Sequence, residues 1–458
     1  MLYLHFVDAS SKGTRLLVAE TLIRWQVNLF VGESCVRLGG KCIIHRMKFW
    51  GITGTNGKTT TTWIVAAFIN AEPGRKCGYV TTVEANTGAR QFYTGYTTPP
   101  LKQLKEIFAE MEANGCTDCV MEVSSHAIHQ HRTGDTVFSG GVFTNLSEDH
   151  LDYHKTMEAY FDVKLDFARQ IAKARWGEEP PPPALGRGDF PPYVVCLDGG
   201  YGEAMFNAVG NLPVNAIPVS IEGNRKLANA FDLSQLQLVG DYNRSNVLCA
   251  AALAKAAGVS HERIQAVIPT LRPRWGRLEY VPSASKAKVY VDFAHTPDGL
   301  EKVLSAVREE MNRRQSTNRP IEQSEQSEQS NNSLWVVFGA GGDRDPMKRP
   351  LMGAACAKLA DRLVVTSDNP RSEEPMKIIE AILEGVVKAG APSATSPRGA
   401  AETVYVEPDR KKAIHYALAN AAEGDVVIIA GKGHETTQEI AGVKHPFDDR
   451  EVVRGFEV

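Results

Sequence analysis

The sequence has no long hydrophobic run. None of its apolar stretches approaches the roughly 18 residues that a membrane-spanning helix needs, so no membrane span is expected. The first residues also lack the basic start, apolar core and small-residue cleavage site of a secretory leader, so no signal peptide is expected. An excess of one charge is missing too. With 51 basic against 54 acidic side chains, the net charge of −3 gives no electrostatic reason to expect nucleic acid or a membrane surface as partner. Cysteine is sparse: eight residues scattered over 458 exclude a disulfide scaffold and suggest reduced thiols in the cytoplasm. The one C-x-x-C, Cys116 and Cys119, has no second pair and leads into Val120-Met121, so a buried, inert role is expected.

What is present reads as α/β. From residue 49 onward, short β-rich runs alternate with helical stretches, the pattern of domains built on mostly parallel sheets. Two segments interrupt it. Residues 176–193 hold Pro180 to Pro183 and Pro191-Pro192 and read as a surface loop. Residues 313–333 carry a tandem Glu-Gln-Ser repeat, too polar to bury anything, and read as a disordered insert. Pro273 and Gly276 suggest a boundary that divides the chain into 1–48, 49–272 and 273–458.

The most informative motif is Gly54-Thr55-Asn56-Gly57-Lys58-Thr59, followed by Thr60. It follows the apolar Phe49, Trp50 and Ile52 and opens a helical stretch, Trp63 to Ile69. Strand, glycine-rich turn and helix start make a phosphate cradle, with backbone N–H groups for the anion, Lys58 as a point charge and the Thr59 hydroxyl for Mg²⁺. The fuller P-loop pattern wants glycine where Ile52 stands. The bland alternative is a glycine turn that merely caps a helix. ATP binding is the expectation.

Six further polar clusters follow apolar runs in the same way. They are Glu122 to His126, Thr144 to His150, Asp292 to Asp298, Gly339 to Asp345 with Asp368 to Arg371, and Gly431 to Glu435. In open parallel sheets, ligands sit beyond the carboxyl ends of strands, so these clusters predict one shared catalytic cleft. Glu122 and His150 are suited to Mg²⁺ beside a nucleotide, although a histidine like His150 taken alone is more often a surface or hydrogen-bonded residue. Arg344 and Arg371 offer forked donors for a second anionic substrate, against the alternative of surface salt bridges.

Together these motifs resemble the Mur ligase family. Within it, Ser124-Ser-His-x-x-x-Gln130-His-Arg132, Asp368-Asn-Pro-Arg371 and Gly431-Lys-Gly-His-Glu435 are similar to the UDP-N-acetylmuramoyl-tripeptide synthetase branch that adds meso-diaminopimelate. The resemblance implies an N-terminal UDP-binding domain, a central ATPase and a C-terminal Rossmann-like domain. It also implies ATP-dependent ligation of meso-diaminopimelate to UDP-MurNAc-L-Ala-D-Glu through an acyl phosphate, by a cytoplasmic monomer in peptidoglycan precursor synthesis. By position, Thr59, Glu122, His150 and a carbamylated Lys164 would hold two Mg²⁺ ions. Asn243, Asn246 and Asp292 would hold the nucleotide, and Arg277 would reach the phosphates. Thr97, Thr98, Ser124, Gln130 and Arg132 match the muramoyl-dipeptide positions, with Tyr96 standing where the family commonly has asparagine. Arg344, Asp368, Asn369, Pro370, Arg371, Gly431 and Glu435 match the diaminopimelate pocket. A guanidinium at Arg371 would bind the carboxylate that diaminopimelate has and lysine lacks. Residues 1–48 read as an abbreviated or atypical UDP-binding region, without the Asp-Ser-Arg stretch the family shows there. A lysine-adding or other Mur-type ligase and a non-catalytic nucleotide-binding relative remain as alternatives.

Overall fold

Strands buried on both faces need nearly unbroken apolar sequence and helices above and below. Leu334–Phe338 and Val426–Ala430 satisfy the first demand and are buried along their whole length. In the computed structural model, the described residues are 34–38, 41–45, 47–177, 186, 189–221, 230–317, 332–390 and 403–457. Backbone proximity divides the chain into two compact units, Met1–Lys48 and Phe49–Val458.

In the first unit, β1 (Ser34–Leu38) and β2 (Lys41–His45) pair antiparallel, from Ser34 opposite His45 to Leu38 opposite Lys41. The UDP-binding role expected of residues 1–48 otherwise falls outside the described residues.

The second unit carries two sheets. The larger follows β3 (Lys48–Thr53), α1 (Lys58–Asn70), β4 (Cys77–Val80), β5 (Ala85–Asn86), β6 (Gln91–Phe92), α2 (Leu101–Ala113), β7 (Asp118–Glu122), α3 (Ser125–His129) and β8 (Phe138–Phe143). It continues through α4 (Leu151–His154), α5 (Met157–Trp176), β9 (Pro192–Cys196), α6 (Gly202–Gly210), β10 (Asn215–Val219), α7 (Asp241–Ala256) and α8 (His261–Val267). Its eight strands run in the order β10-β9-β8-β3-β7-β4-β5-β6, with β5 and β6 antiparallel at one edge. Helix α1 is buried almost all round, because Ile64, Val65 and Phe68 meet the sheet side while α7 packs alongside.

The smaller sheet is built from β11 (Glu279–Tyr280), β12 (Lys288–Asp292), α9 (Pro297–Thr317), β13 (Leu334–Phe338), α10 (Lys348–Leu359), β14 (Arg362–Val365), α11 (Pro375–Lys388), β15 (Val404–Val406), α12 (Arg410–Asn420) and β16 (Val426–Ala430). Its order is β11-β12-β16-β13-β14-β15, parallel except for β11. A hairpin of β17 (Thr437–Ile440) and β18 (Val443–Pro446) and the short α13 (Asp449–Arg454) complete the chain.

The insert expected to be disordered over 313–333 needs correction at its start. Helix α9 runs through Thr317, carried past its last buried apolar residue, Met311, by residues that tolerate helix. The Glu-Gln-Ser repeat and Pro180 to Pro183 lie outside the described residues. Cys116 and Cys119 are buried, and burial pushes both thiols above their ordinary range, as an inert role requires.

Candidate active site

The carboxyl ends of strands from both sheets surround a cleft of about 800 Å³. From the larger sheet it is lined by Thr55, Asn56, Gly57, Lys58, Thr59, Thr60, Thr97, Glu122, His150, Asn243 and Asn246. From the smaller sheet come Arg277, Asp292, Arg344, Asp368, Asn369, Arg371, Gly431 and Glu435. Gly54, Thr98, Ser124, Gln130, Arg132, Lys164 and Pro370, also singled out from the sequence, are not part of this lining.

The turn between β3 and α1 has the conformation its glycines allow. Gly57 has φ 83°, and a Cβ there would overlap the side-chain oxygen of Asn246 on α7. Thr144 and Asn145, just past β8, brace the turn: the Thr144 hydroxyl donates to Asn56 O at 2.6 Å and Asn56 N donates to Asn145 Oδ1 at 2.9 Å. Lys58 is folded back, its Nζ donating to the carbonyls of Gly54 at 2.9 Å and Thr55 at 2.7 Å. Burial lowers its pKa, while Glu122 and Asp149 pull the other way.

Glu122, at the end of β7, is fully buried. Thr82, just past the neighbouring β4, donates to both of its oxygens, from the backbone at 2.8 Å and from the hydroxyl at 3.1 Å. His150 takes a left-handed φ of 56° at the start of α4, with its ring 3.4 Å from Asp149. Desolvation in the cleft holds it below the ordinary imidazole range, at about 4. Thr59, Glu122 and His150 all line the cleft, and a hydroxyl, a carboxylate and a neutral imidazole are donor types that suit a divalent cation, although no cluster of three or more His, Cys, Asp or Glu gathers among the described residues. Lys164, on α5, is not at the surface. It is 1% exposed, donates to Gly54 O at 3.0 Å, and is pushed well below the ordinary lysine range by burial and by Lys58.

Beside this centre, the Thr98 hydroxyl donates to Glu122 O at 2.8 Å and accepts from Ser124 N at 3.0 Å. Arg132 reaches Thr98 O at 3.3 Å and Gln130 Oε1 at 2.8 Å, and Gln130 donates to the Tyr153 hydroxyl at 3.1 Å. Thr98, Ser124, Gln130 and Arg132, matched to the muramoyl dipeptide, therefore form one connected group that reaches the Glu122 backbone.

Three contacts tie the two sheets together across the cleft. Arg277 donates to the Thr59 hydroxyl at 3.3 Å, with its guanidinium 4.3 Å above the Phe293 ring. Asp298, at the start of α9, accepts from Asn56 Nδ2 at 3.0 Å and from the Ser147 hydroxyl at 3.2 Å on the same oxygen. Asp292 keeps its carboxylate for its own loop, accepting from Leu278 N at 2.6 Å and Ala294 N at 2.7 Å.

At the far side, the turn after β14 meets the loop after β16. Arg371 has a left-handed φ of 53°, and its Nη1 donates to Gly342 O at 2.6 Å. Asn369 donates to Glu435 Oε2 at 2.8 Å. A Cβ on Gly431, which has φ 115°, would lie 2.5 Å from Asp368 Oδ2, a buried oxygen with no hydrogen-bond partner.

The chain is 38% identical to the UDP-N-acetylmuramoyl-L-alanyl-D-glutamate--2,6-diaminopimelate ligase of Geobacillus kaustophilus, over 90% of this chain and 78% of that one. The Mur ligase middle domain matches residues 52–254, and the Mur ligase glutamate ligase domain matches residues 276–433. The chain belongs to the Mur ligase family. A relative of the same name from Aquifex aeolicus is 35% identical over 98% of this chain and 86% of its own. Among solved structures, one titled as the same ligase is 28% identical and superposes with a TM-score of 0.50, covering 89% of this chain and 77% of that one. The Mycobacterium tuberculosis folylpolyglutamate synthase, at 18% identity and TM-score 0.53, shares the fold over 84% of this chain and 88% of its own.

Two residues in contact with the site of this Mur ligase, Thr82 and Lys432, are not among those singled out from the sequence. Thr82 follows the apolar pair Tyr79-Val80 and could have been read as one more strand-end cluster, but its partner Glu122 is set by the pairing of β4 with β7. Lys432 was passed over inside its motif, although its side chain is fully buried between Asn369 and Glu435.

Proposed function

We propose that this chain ligates meso-diaminopimelate to UDP-MurNAc-L-Ala-D-Glu with ATP, in peptidoglycan precursor synthesis. The observation that carries the reading is the placement of the Asp368–Arg371 turn and the Gly431–Glu435 loop in the same cleft as the P-loop. The names of the relatives support it. Two anions, the D-glutamate carboxylate and the γ-phosphate, must approach each other, so positive charge has to be delivered where they meet. Lys58 supplies it by leaving the Gly54 and Thr55 carbonyls for the phosphates, and Arg277 adds a second cation from the opposite sheet. Thr59, Glu122, His150 and a carbamylated Lys164 would hold two Mg²⁺ ions, which neutralise phosphate oxygens when bound. An uncharged amine is the form of lysine that adds carbon dioxide, and the lowered pKa of Lys164 favours that form.

Phosphoryl transfer leaves ADP and an acyl phosphate. The diaminopimelate amine attacks its carbonyl carbon, and the tetrahedral adduct expels phosphate. Thr97, Thr98, Ser124, Gln130 and Arg132 would orient the muramoyl dipeptide, and Asn243, Asn246 and Asp292 the nucleotide. Arg371 and Arg344 would take the distal carboxylate of diaminopimelate, with Asp368, Asn369, Gly431 and Glu435 completing the pocket. We further propose the division into 1–48, 49–272 and 273–458, a monomeric state and a cytoplasmic location. The test is phosphate release with different acceptors. Release should require both the muramoyl dipeptide and diaminopimelate; equal turnover with lysine would refute the pocket assignment.

A further inference from the structure

The amino-acid end of the cleft is held by a closed triangle of side chains. Lys432, the second residue past β16, has a fully buried side chain. Its Nζ donates to Asn369 Oδ1 at 3.2 Å and to Glu435 Oε2 at 2.8 Å, and Asn369 Nδ2 donates to that same Glu435 oxygen at 2.8 Å. The Asn369 oxygen also accepts from Glu439 N at 3.0 Å. The amide therefore has one permitted orientation, because a flipped group would turn its NH₂ toward an ammonium and a backbone N–H.

Two consequences reach the cleft. Among the described residues, Glu435 Oε1 makes no hydrogen bond, so the carboxylate presents one open oxygen while the other is fixed. Asn369 keeps one N–H uncommitted, since its second is spent on Glu435. Beside them lies Asp368 Oδ2, buried and without a partner. Arg371 and Arg344 supply the positive side. Acceptors and donors set side by side in this way match an ammonium and a carboxylate on one carbon.

We infer that Lys432 is a positioning residue that sets the specificity of this pocket for an amino acid with a second zwitterionic head. Its ammonium compensates Glu435 and locks Asn369, so that Glu435 Oε1 meets the distal ammonium and the free Asn369 N–H meets the distal carboxylate. This rests on the diaminopimelate reading above. It adds a residue that touches no substrate yet fixes two that do. Without Lys432, the carboxylate loses its charge partner and the amide turns freely, and both donor and acceptor leave their positions. Lysine has no distal carboxylate and gains nothing from the locked amide, so its use should suffer less.

The test is steady-state phosphate release by the full chain, comparing wild type with Lys432→Met, Glu435→Gln and the double variant. Lys432→Met should raise KM for diaminopimelate about tenfold to a hundredfold, the loss of a charge-assisted hydrogen bond. KM for ATP and for the muramoyl dipeptide should stay within about twofold, and preference over lysine should shrink. The double variant should lose less than the two single losses combined, because the lysine acts in part through that carboxylate and in part through Asn369. Additive losses, or a KM for diaminopimelate that does not move, would overturn the inference. Lys432→Gln, which keeps a donor without charge, gives a second route should the methionine variant not fold. Failure of both to fold would also overturn it, by making Lys432 a folding residue. If wild type itself releases no diaminopimelate-dependent phosphate, the functional reading fails instead.

Discussion

At the scale of single residues, most charges of the site already have partners before substrate arrives, Asp368 Oδ2 being an exception. Arg371 illustrates this: a hydrogen bond to Gly342 O and a left-handed backbone leave only part of its guanidinium for a ligand. Arg371→Ala should raise KM for diaminopimelate by at least about tenfold with little change in KM for ATP. An unchanged value would show that the arginine serves only its own turn. His154 bears on stability. It is 7% exposed, bonded to the Ser125 hydroxyl at 2.9 Å, and held down to about 4 by burial and then by nearby His126 and Lys164. Its folded pKa lies below the unfolded value of about 6.5, so the unfolded chain binds the proton first. Its stabilising share is complete above about 6.5 and is lost as pH falls toward about 4, at up to about 1.4 kcal/mol per pH unit. His154→Gln should flatten that part of the urea-midpoint profile; an identical slope would show the residue is not responsible.

At the scale of elements, the turn between β3 and α1 is the most constrained. Gly57→Ala places a Cβ on a φ of 83° and against Asn246, which costs about 1–2 kcal/mol in backbone strain alone. ADP affinity measured by calorimetry should fall at least about tenfold, because the displaced backbone N–H groups no longer converge on a phosphate. Retained affinity would count against the cradle. This turn was legible in the sequence because glycines, lysine and threonine act within one local geometry. So were the clusters at the ends of β7, β8, β12, β13, β14 and β16, since an apolar run followed by polar residues marks a strand end. Thr82 and Lys432 were not legible. Thr82 matters through its neighbour across two strands, and Lys432 looks like any loop lysine until the β14 turn closes over it.

At the scale of the molecule, function depends on the two sheets facing each other in one register. Asp298 gathers Asn56 and Ser147 from the larger sheet and Lys302 from its own helix, at 3.0, 3.2 and 2.9 Å, on one oxygen. Asp298→Ala should lower kcat about tenfold, through misplacement of groups across the cleft, while the unfolding midpoint moves by only about a few degrees. An unchanged kcat would show that Arg277 and the remaining contacts hold the register without it. The family match over both halves fits this dependence, since each half brings part of one lining.

Local chemistry, read along the chain, was enough to name the glycine turn after β3 and the Asp368–Arg371 turn as parts of the cleft, because each is written in consecutive residues. Only the tertiary structure decided that β4 lies beside β7, that Lys164 is buried under the P-loop, and that Lys432 closes a triangle with Asn369 and Glu435. The physical reason is distance along the chain. Strand order and helix packing bring together groups tens to hundreds of residues apart, and no short pattern records which partners will meet.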